Sequence, residues 1–281
     1  MWRNLTKAIK VVMLTGIIIL AVGTTACSSN TKNESTYQRV KRTNTITWGM
    51  RADTRLFSMM NVKTDKAEGF EVDLARAITK QILGKKGKAK IEYISEKSRI
   101  MDLKINNVDA VMATMTNTPE RQKIIDFSDT YFMAGETLIF HKNRGFKSIK
   151  DFNNSKYSIA AVKGSTADRD VHKFSPKAKI IFFDDYGSAY NALKVGKASA
   201  MVSDNAVLAG LIADDHNYEM LKNTFTTEPY GIGIKKGETK FTKAVNKALK
   251  TLRENGTYAR LMKKWFNGVP GFNIEASSKT K

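Results

Sequence analysis

Strand signals and helix signals alternate along most of this chain, and that alternation confines it to α/β architectures with largely parallel sheets. Strands are expected at 45–49, 91–94, 108–113, 157–162, 180–183 and 198–202. Between them, Leu74, Ala75, Ile78 and Ile82 fall on one helical face that Gly84 stops, and further helical signals lie at 119–125, 165–174, 187–195 and 205–212. Two helices close the chain. Phe241, Val245, Ala248, Leu249 and Leu252 stripe the first, Asn255 and Gly256 break it, and Tyr258, Leu261, Met262 and Trp265 stripe the second. With 281 residues, 42% of them hydrophobic, the chain can fill one large core or two ordinary ones. The segments Asp109-Ala110-Val111-Met112 and Ser199-Ala200-Met201-Val202 each end a strand and lead into a polar loop carrying a charge. This weak internal echo fits two similar lobes whose strand ends face a shared cleft, where open α/β sheets bind ligands.

The beginning of the chain reads as an address. Arg3, Lys7 and Lys10 precede an apolar stretch at 11–22, then Gly23, Thr24, Thr25, Ala26 and the sole cysteine, Cys27. A charged start, a short apolar core and small residues make a secretory signal, too short to span a bilayer comfortably. The arrangement resembles a bacterial lipobox, with Thr24 in place of the usual Leu or Val. That resemblance implies cleavage before Cys27 and attachment of lipid to its thiol; a buried free thiol is the competing reading. One cysteine allows no intramolecular disulfide. Residues 27–43 read as the lipidated cysteine and a polar, flexible tether, and 269–281 as a disordered tail.

The formal charge of +20 raises nucleic acid as a partner, because clustered Lys and Arg release counterions from phosphates. Here the basic residues are scattered, and the densest runs, 85–90 and 235–240, sit at element boundaries where a solvated surface suffices. No nucleic-acid partner is expected; attraction to an anionic wall or membrane surface stays open. Nor does a catalytic set emerge. His141, His172 and His216 lie far apart, none at metal-ligand spacing, and no Ser has a nucleophile-elbow context. Neither metal nor cofactor is expected.

Thr118-Pro119-Glu120-Arg121 carries chemistry without any resemblance. Thr118 can cap a helix that starts at Pro119, leaving Arg121 in the first turn beside unpaired amides. A guanidinium there can grip a carboxylate with two parallel hydrogen bonds, although a surface arginine on a short helix is the plainer reading. Gly164-Ser165-Thr166 follows a strand and opens a helix, so its amides can also meet an anion, or simply cap. It lacks the spacing and terminal Lys of a phosphate loop.

The stretch Gly69-Phe70-Glu71-Val72-Asp73-Leu74, then Asp109-Ala110-Val111, Thr116 to Arg121, Asp126-Phe127-Ser128-Asp129-Thr130-Tyr131, and finally Asn255-Gly256-Thr257-Tyr258 and Lys264-Trp265-Phe266, resembles the family 3 extracellular solute-binding proteins over about residues 44–268. The resemblance implies a two-lobed, type II periplasmic-binding-protein-like fold with two hinge crossovers, near 132–137 and 227–232. Lobe 1 is expected at 44–134 and 231–268, lobe 2 at 135–230. It further implies a polar amino acid as ligand: Arg121 on the α-carboxylate, Ser165 and Thr166 helping from the second lobe, and Asp204 on the ammonium with the Thr114 carbonyl and Thr116 hydroxyl. Asp204 could equally cap the helix after it.

Arg51 and Arg99 fall at cleft positions of the first lobe, where the aspartate, glutamate and glutamine branch approaches the ligand's distal group; solvent-exposed arginines are the alternative. They favour an acidic side chain unless Asp53, Glu71 or Glu96 already neutralises them. Thr54 stands where relatives carry a stacking aromatic, and Phe57 and Tyr186 are the candidate substitutes. The implied protein is a monomeric, lipid-anchored, extracytoplasmic binding component of an ABC importer, working with permease and ATPase subunits by hinge closure. A basic surface adhesin, or a dehydratase-like enzyme on the same fold, are the rivals.

Overall fold

The computed structural model describes residues 34–269 and 272–278. The expected signal at 1–26, Cys27 and the first part of the tether lie outside the described residues. The rest of the tether is not a tether: 36–43 form helix α1 (Thr36–Thr43). Ser35 and Gln38 cap it reciprocally, Val40 is fully buried, and the Arg39 guanidinium donates to Asp109 at 2.5 and 3.1 Å. Those partners lie far off in sequence, so a polar local composition concealed a helix that tertiary contacts hold.

The first sheet begins with β1 (Thr45–Met50), followed by a small meander, β2 (Asp53–Thr54), β3 (Ser58–Asn61) and β4 (Lys66–Glu68). Helix α2 (Phe70–Leu83), β5 (Lys88–Tyr93), α3 (Arg99–Lys104), β6 (Ala110–Val111), α4 (Pro119–Gln122) and β7 (Ile125–Phe127) complete this part. The chain then crosses through β8 (Phe132–Ala134) to β9 (Glu136–His141), β10 (Ser158–Val162), α5 (Ala167–Phe174), β11 (Lys179–Phe183) and α6 (Tyr186–Lys194). After β12 (Ala200–Asp204), α7 (Asn205–Leu211) and β13 (Tyr218–Met220), it returns through β14 (Glu228–Tyr230) to β15 (Gly233–Lys235) and helices α8 (Thr239–Glu254), α9 (Thr257–Phe266) and α10 (Ile274–Ser278).

Two five-stranded sheets result, ordered β5-β1-β6-β15-β7 and β11-β10-β12-β9-β13. In each, the first three strands are parallel and the returning strand is antiparallel, which is the repeat that the internal echo announced. The crossovers β8 and β14 pair with each other, Phe132 opposite Tyr230, as a two-stranded ribbon between the sheets. Two crossovers hydrogen-bonded side by side make a hinge that can bend while its cross-chain pairing holds. The expected strand at 108–113 shortens to two residues because the chain turns sharply at Thr114, whose φ is +44°.

Phe57, Phe70 and Phe266 pack edge-on or tilted against one another and against the ribbon's Phe132 and Tyr230, which stack on each other, all at 5.0 to 6.4 Å. Phe57 is therefore core, not a ligand clamp, which corrects the expectation. Within the expected disordered tail, the described residues 272–278 are ordered instead. Phe272 stacks on Phe132 at 5.8 Å, and Arg253 donates to the Ser278 carbonyl at 3.1 Å.

Gly69, which opens the first quoted motif, has φ +143°, and an added Cβ would lie 2.1 Å from the Phe57 carbonyl oxygen. The amides of Phe70 and Glu71 bond the carbonyls of Leu56 and Phe57 at 2.8 and 2.9 Å, so neither backbone can retreat. Gly69→Ala combines backbone strain with overpacking and should cost about 3 kcal/mol or more in urea unfolding. A loss below about 1 kcal/mol would show that the meander yields.

Candidate functional site

Segments that follow the carboxyl ends of β5, β6, β10 and β11, with the end of β12, converge on one small cavity, built from both halves. Arg99, Thr114, Thr116 and Arg121 line it from the first; Ser165, Thr166, Tyr186 and Asp204 line it from the second, with Glu96, Glu136 and Ser203. Its free volume is about 10 Å³, so the opposing walls nearly touch. Larger hollows exist, including one of about 470 Å³ beside Asn117, Gln122 and Lys236. Among the described residues, however, no buried side-chain polar atom lacking a partner belongs to that hollow, whereas Glu96, Thr114, Glu136 and Asp204 at the small cavity each carry one. Buried polar groups without partners are costly, and a polar ligand satisfies them.

Arg121 sits as its motif predicts. Thr118 caps α4, accepting from the Arg121 amide at 3.3 Å, and Pro119 takes the first helical position. The guanidinium donates to the Thr116 carbonyl at 2.8 Å and, across the cleft, to the Gly164 carbonyl at 3.0 Å. Arg99, fully buried, donates to the same Gly164 oxygen at 3.3 Å. One neutral carbonyl thus lies between two guanidinium groups, a place better filled by a carboxylate. Burial, then repulsion from Arg99, lowers the Arg121 pKa to about 10, which leaves it charged at neutral pH and short of negative charge.

Asp204 occupies the N-cap position of α7, yet its side chain does not cap. One oxygen accepts from the Tyr230 hydroxyl at 2.5 Å; the other has no partner. Burial, then the charge of Glu228, pushes its pKa up to about 8, while the Tyr230 hydrogen bond and Arg121 pull it down. Glu136 lies alongside, accepting from the Thr166 hydroxyl at 2.6 Å, and burial and Asp204 raise its pKa as well. Two crowded, buried carboxyl groups form a place that a cation relieves. Ser165 and Thr166 do not cap α5; their hydroxyls donate to the Val162 carbonyl and to Glu136.

Thr114 keeps its left-handed turn because its amide donates to Glu71 at 2.7 Å, and Glu71 also accepts from the Tyr131 hydroxyl. Burial outweighs these bonds and raises the Glu71 pKa to about 7. The sequence reading offers Glu71 only as an acid able to neutralise Arg51 or Arg99; its hydrogen bonds instead hold the loop that brings Thr114 and Thr116 to the cleft.

Arg51 departs from expectation. It is buried, forks onto Asp53 at 2.9 and 2.7 Å, stands 5.1 Å from the Tyr186 ring, and does not line the cavity. Arg99 does line it, with bonds to the Ala113 carbonyl at 2.7 Å and to Glu96 at 3.5 Å. Neither is solvent-exposed, and each already has an acid beside it. Glu136 and Ser203 escape the sequence reading, since a buried acid and a surface acid look alike in one sequence, whereas Glu96 is named there only as an acid able to neutralise the arginines. The three histidines are exposed, and among the described residues there is no cluster of His, Cys, Asp or Glu able to hold a metal. No described helix is long and apolar enough to cross a membrane.

Residues 46–268 match the model of the bacterial extracellular solute-binding proteins, family 3. The chain is 36% identical over 267 residues to the ABC transporter glutamine-binding protein of Bacillus subtilis (strain 168), covering 94% of this chain and 97% of that one. It is 37% identical over 211 residues to the glutamine-binding protein of Geobacillus stearothermophilus, covering 75% and 80%. Among solved structures, an ancestral amino acid-binding protein described as a precursor of cyclohexadienyl dehydratase superposes with a TM-score of 0.77 at 33% identity, covering 83% of this chain and all of that one. The sheets, the paired crossovers and the cleft between them are those of a two-lobed binding protein, and the chain belongs to the family 3 bacterial extracellular solute-binding proteins.

Proposed function

We propose that this protein captures glutamine outside the cytoplasm and delivers it to the permease and ATPase of an ABC importer, tethered to the membrane by lipid on Cys27. The observation that carries this reading is the pairing of Arg121 with Asp204 across one closed cleft: a charge-short guanidinium faces an overcrowded carboxyl pair. A free α-amino acid presents both complements, a carboxylate and an ammonium. Ser165, Thr166, Thr114 and Thr116 surround the same space and supply hydroxyl and carbonyl groups.

The side chain follows from charge balance. Because Asp53 neutralises Arg51 and Glu96 partners Arg99, no spare positive charge remains for a second carboxylate, and the premise for an acidic ligand fails. A neutral amide suits that end better. The glutamine-binding relatives at 36% and 37% identity support the same choice. A dehydratase-like enzyme needs an acid or base free to act on a leaving group, whereas Asp204 and Glu136 are grouped where the ammonium is expected and Glu96 is paired with Arg99 and Tyr186. The adhesin reading rests only on scattered surface charge.

A thermal-shift screen of the standard amino acids tests the proposal, because a ligand specific for the native state raises its melting temperature. Glutamine should give the largest rise. A folded protein that none of them shifts would overturn the reading.

A further inference from the structure

We propose that Glu96 reads the ligand's side chain, accepting a hydrogen bond from an amide N–H and so selecting an amide over a carboxylate. The proposal rests on the cleft being an amino-acid site.

Glu96 lies in the loop between β5 and α3. Ser95 and Ser98 brace that loop reciprocally, each accepting from the other's amide at 3.2 and 2.9 Å. The side chain is 3% exposed and lines the cavity. Its Oε1 is engaged from both lobes: the Tyr186 hydroxyl donates to it at 3.2 Å and Arg99 lies at 3.5 Å. Its Oε2 has no partner. A buried carboxyl oxygen facing a cavity calls for a donor, and a ligand can bring one.

Arg121 and Asp204 account for the two main-chain charges, which leaves the pair Arg99 and Glu96 for what projects beyond them. An amide matches that pair group for group, its carbonyl accepting from the guanidinium and its NH₂ donating to Oε2. A carboxylate offers no donor to Oε2 and sets two acids side by side, which costs affinity. Asp53 and Arg51 form an ion pair beside Tyr186 and do not line the cavity, which leaves the discrimination to Glu96.

Calorimetric titration of the wild type, Glu96→Gln and Glu120→Gln with glutamine and with glutamate decides the matter. The wild type should prefer glutamine by about tenfold or more, and Glu96→Gln, whose amide can donate to a carboxylate, should shrink or invert that preference by at least about tenfold. Glu120→Gln removes the same charge from an exposed position on α4 outside the cavity and should change the ratio by no more than about threefold. An unchanged ratio in Glu96→Gln, or an equal change in both variants, overturns the role of Glu96 while the amino-acid site stands. Binding of neither ligand by the wild type overturns the site reading and this inference together.

Discussion

Arg121→Met should weaken glutamine binding by roughly a hundredfold to a few thousandfold in calorimetry, because a ligand carboxylate buried without its partner costs about 3 to 5 kcal/mol. Arg99 also reaches the Gly164 carbonyl, but only Arg121 is poised by its own capped turn, with Thr116 and Thr118 fixing the side chain and the backbone. Arg121→Lys should recover little of the loss, since an ammonium cannot donate in a planar fork. Without ligand, the melting temperature of Arg121→Met should be unchanged or higher. The wild-type arginine is held at a depressed pKa by burial and by Arg99, so its charge is a cost that the empty native state carries. A variant that melts much earlier but still binds tightly would show a structural arginine instead.

Asp204→Asn should weaken glutamine binding by roughly a hundredfold or more while leaving the fold intact. In the ligand-free cleft, burial and Glu228 raise the Asp204 pKa to about 8, far above the value near 3.9 of an unfolded chain. A raised folded pKa means that the protonated form stabilises the native state; that contribution is full below about pH 4 and lost as pH rises through about 8. Asparagine mimics the protonated acid and should not destabilise the protein at neutral pH. An ammonium, however, needs the charged form, and a neutral amide in its place leaves a buried cation poorly matched, at a cost of roughly a hundredfold or more.

The same linkage fixes a pH dependence for the wild type. Below about pH 8, binding must expel a proton, so affinity should rise with pH by up to about tenfold per unit and level off above that point. Titrations in buffers of different ionisation enthalpy measure the proton directly. Its release should vanish in Asp204→Asn. Affinity independent of pH between about 6 and 8, with no buffer effect, would contradict the assignment.

The two sheets were legible because each parallel strand is an apolar run punctuated by turn residues, and because the helices after them carry one apolar face. Arg121 was legible for a local reason: Thr118-Pro119-Glu120-Arg121 encodes its own cap. What stayed hidden depends on partners remote in sequence. Helix α1 is held by Asp109 and by core around Val40, Glu71 bonds an amide 43 residues away, and the Glu96 hydroxyl partner comes from Tyr186, 90 residues on. The neutralisation of Arg51 was closer to hand. Asp53 stands two residues later, on the same side of an extended chain, and that spacing alone argues for a pair.

A crystal structure of the glutamine complex tests the central claim most directly. The amino acid should lie between the lobes with its α-carboxylate on the Arg121 guanidinium, in the place now taken by the Gly164 carbonyl, and its ammonium against Asp204. Glutamine bound elsewhere, or reversed so that its ammonium faces away from Asp204, would contradict the account.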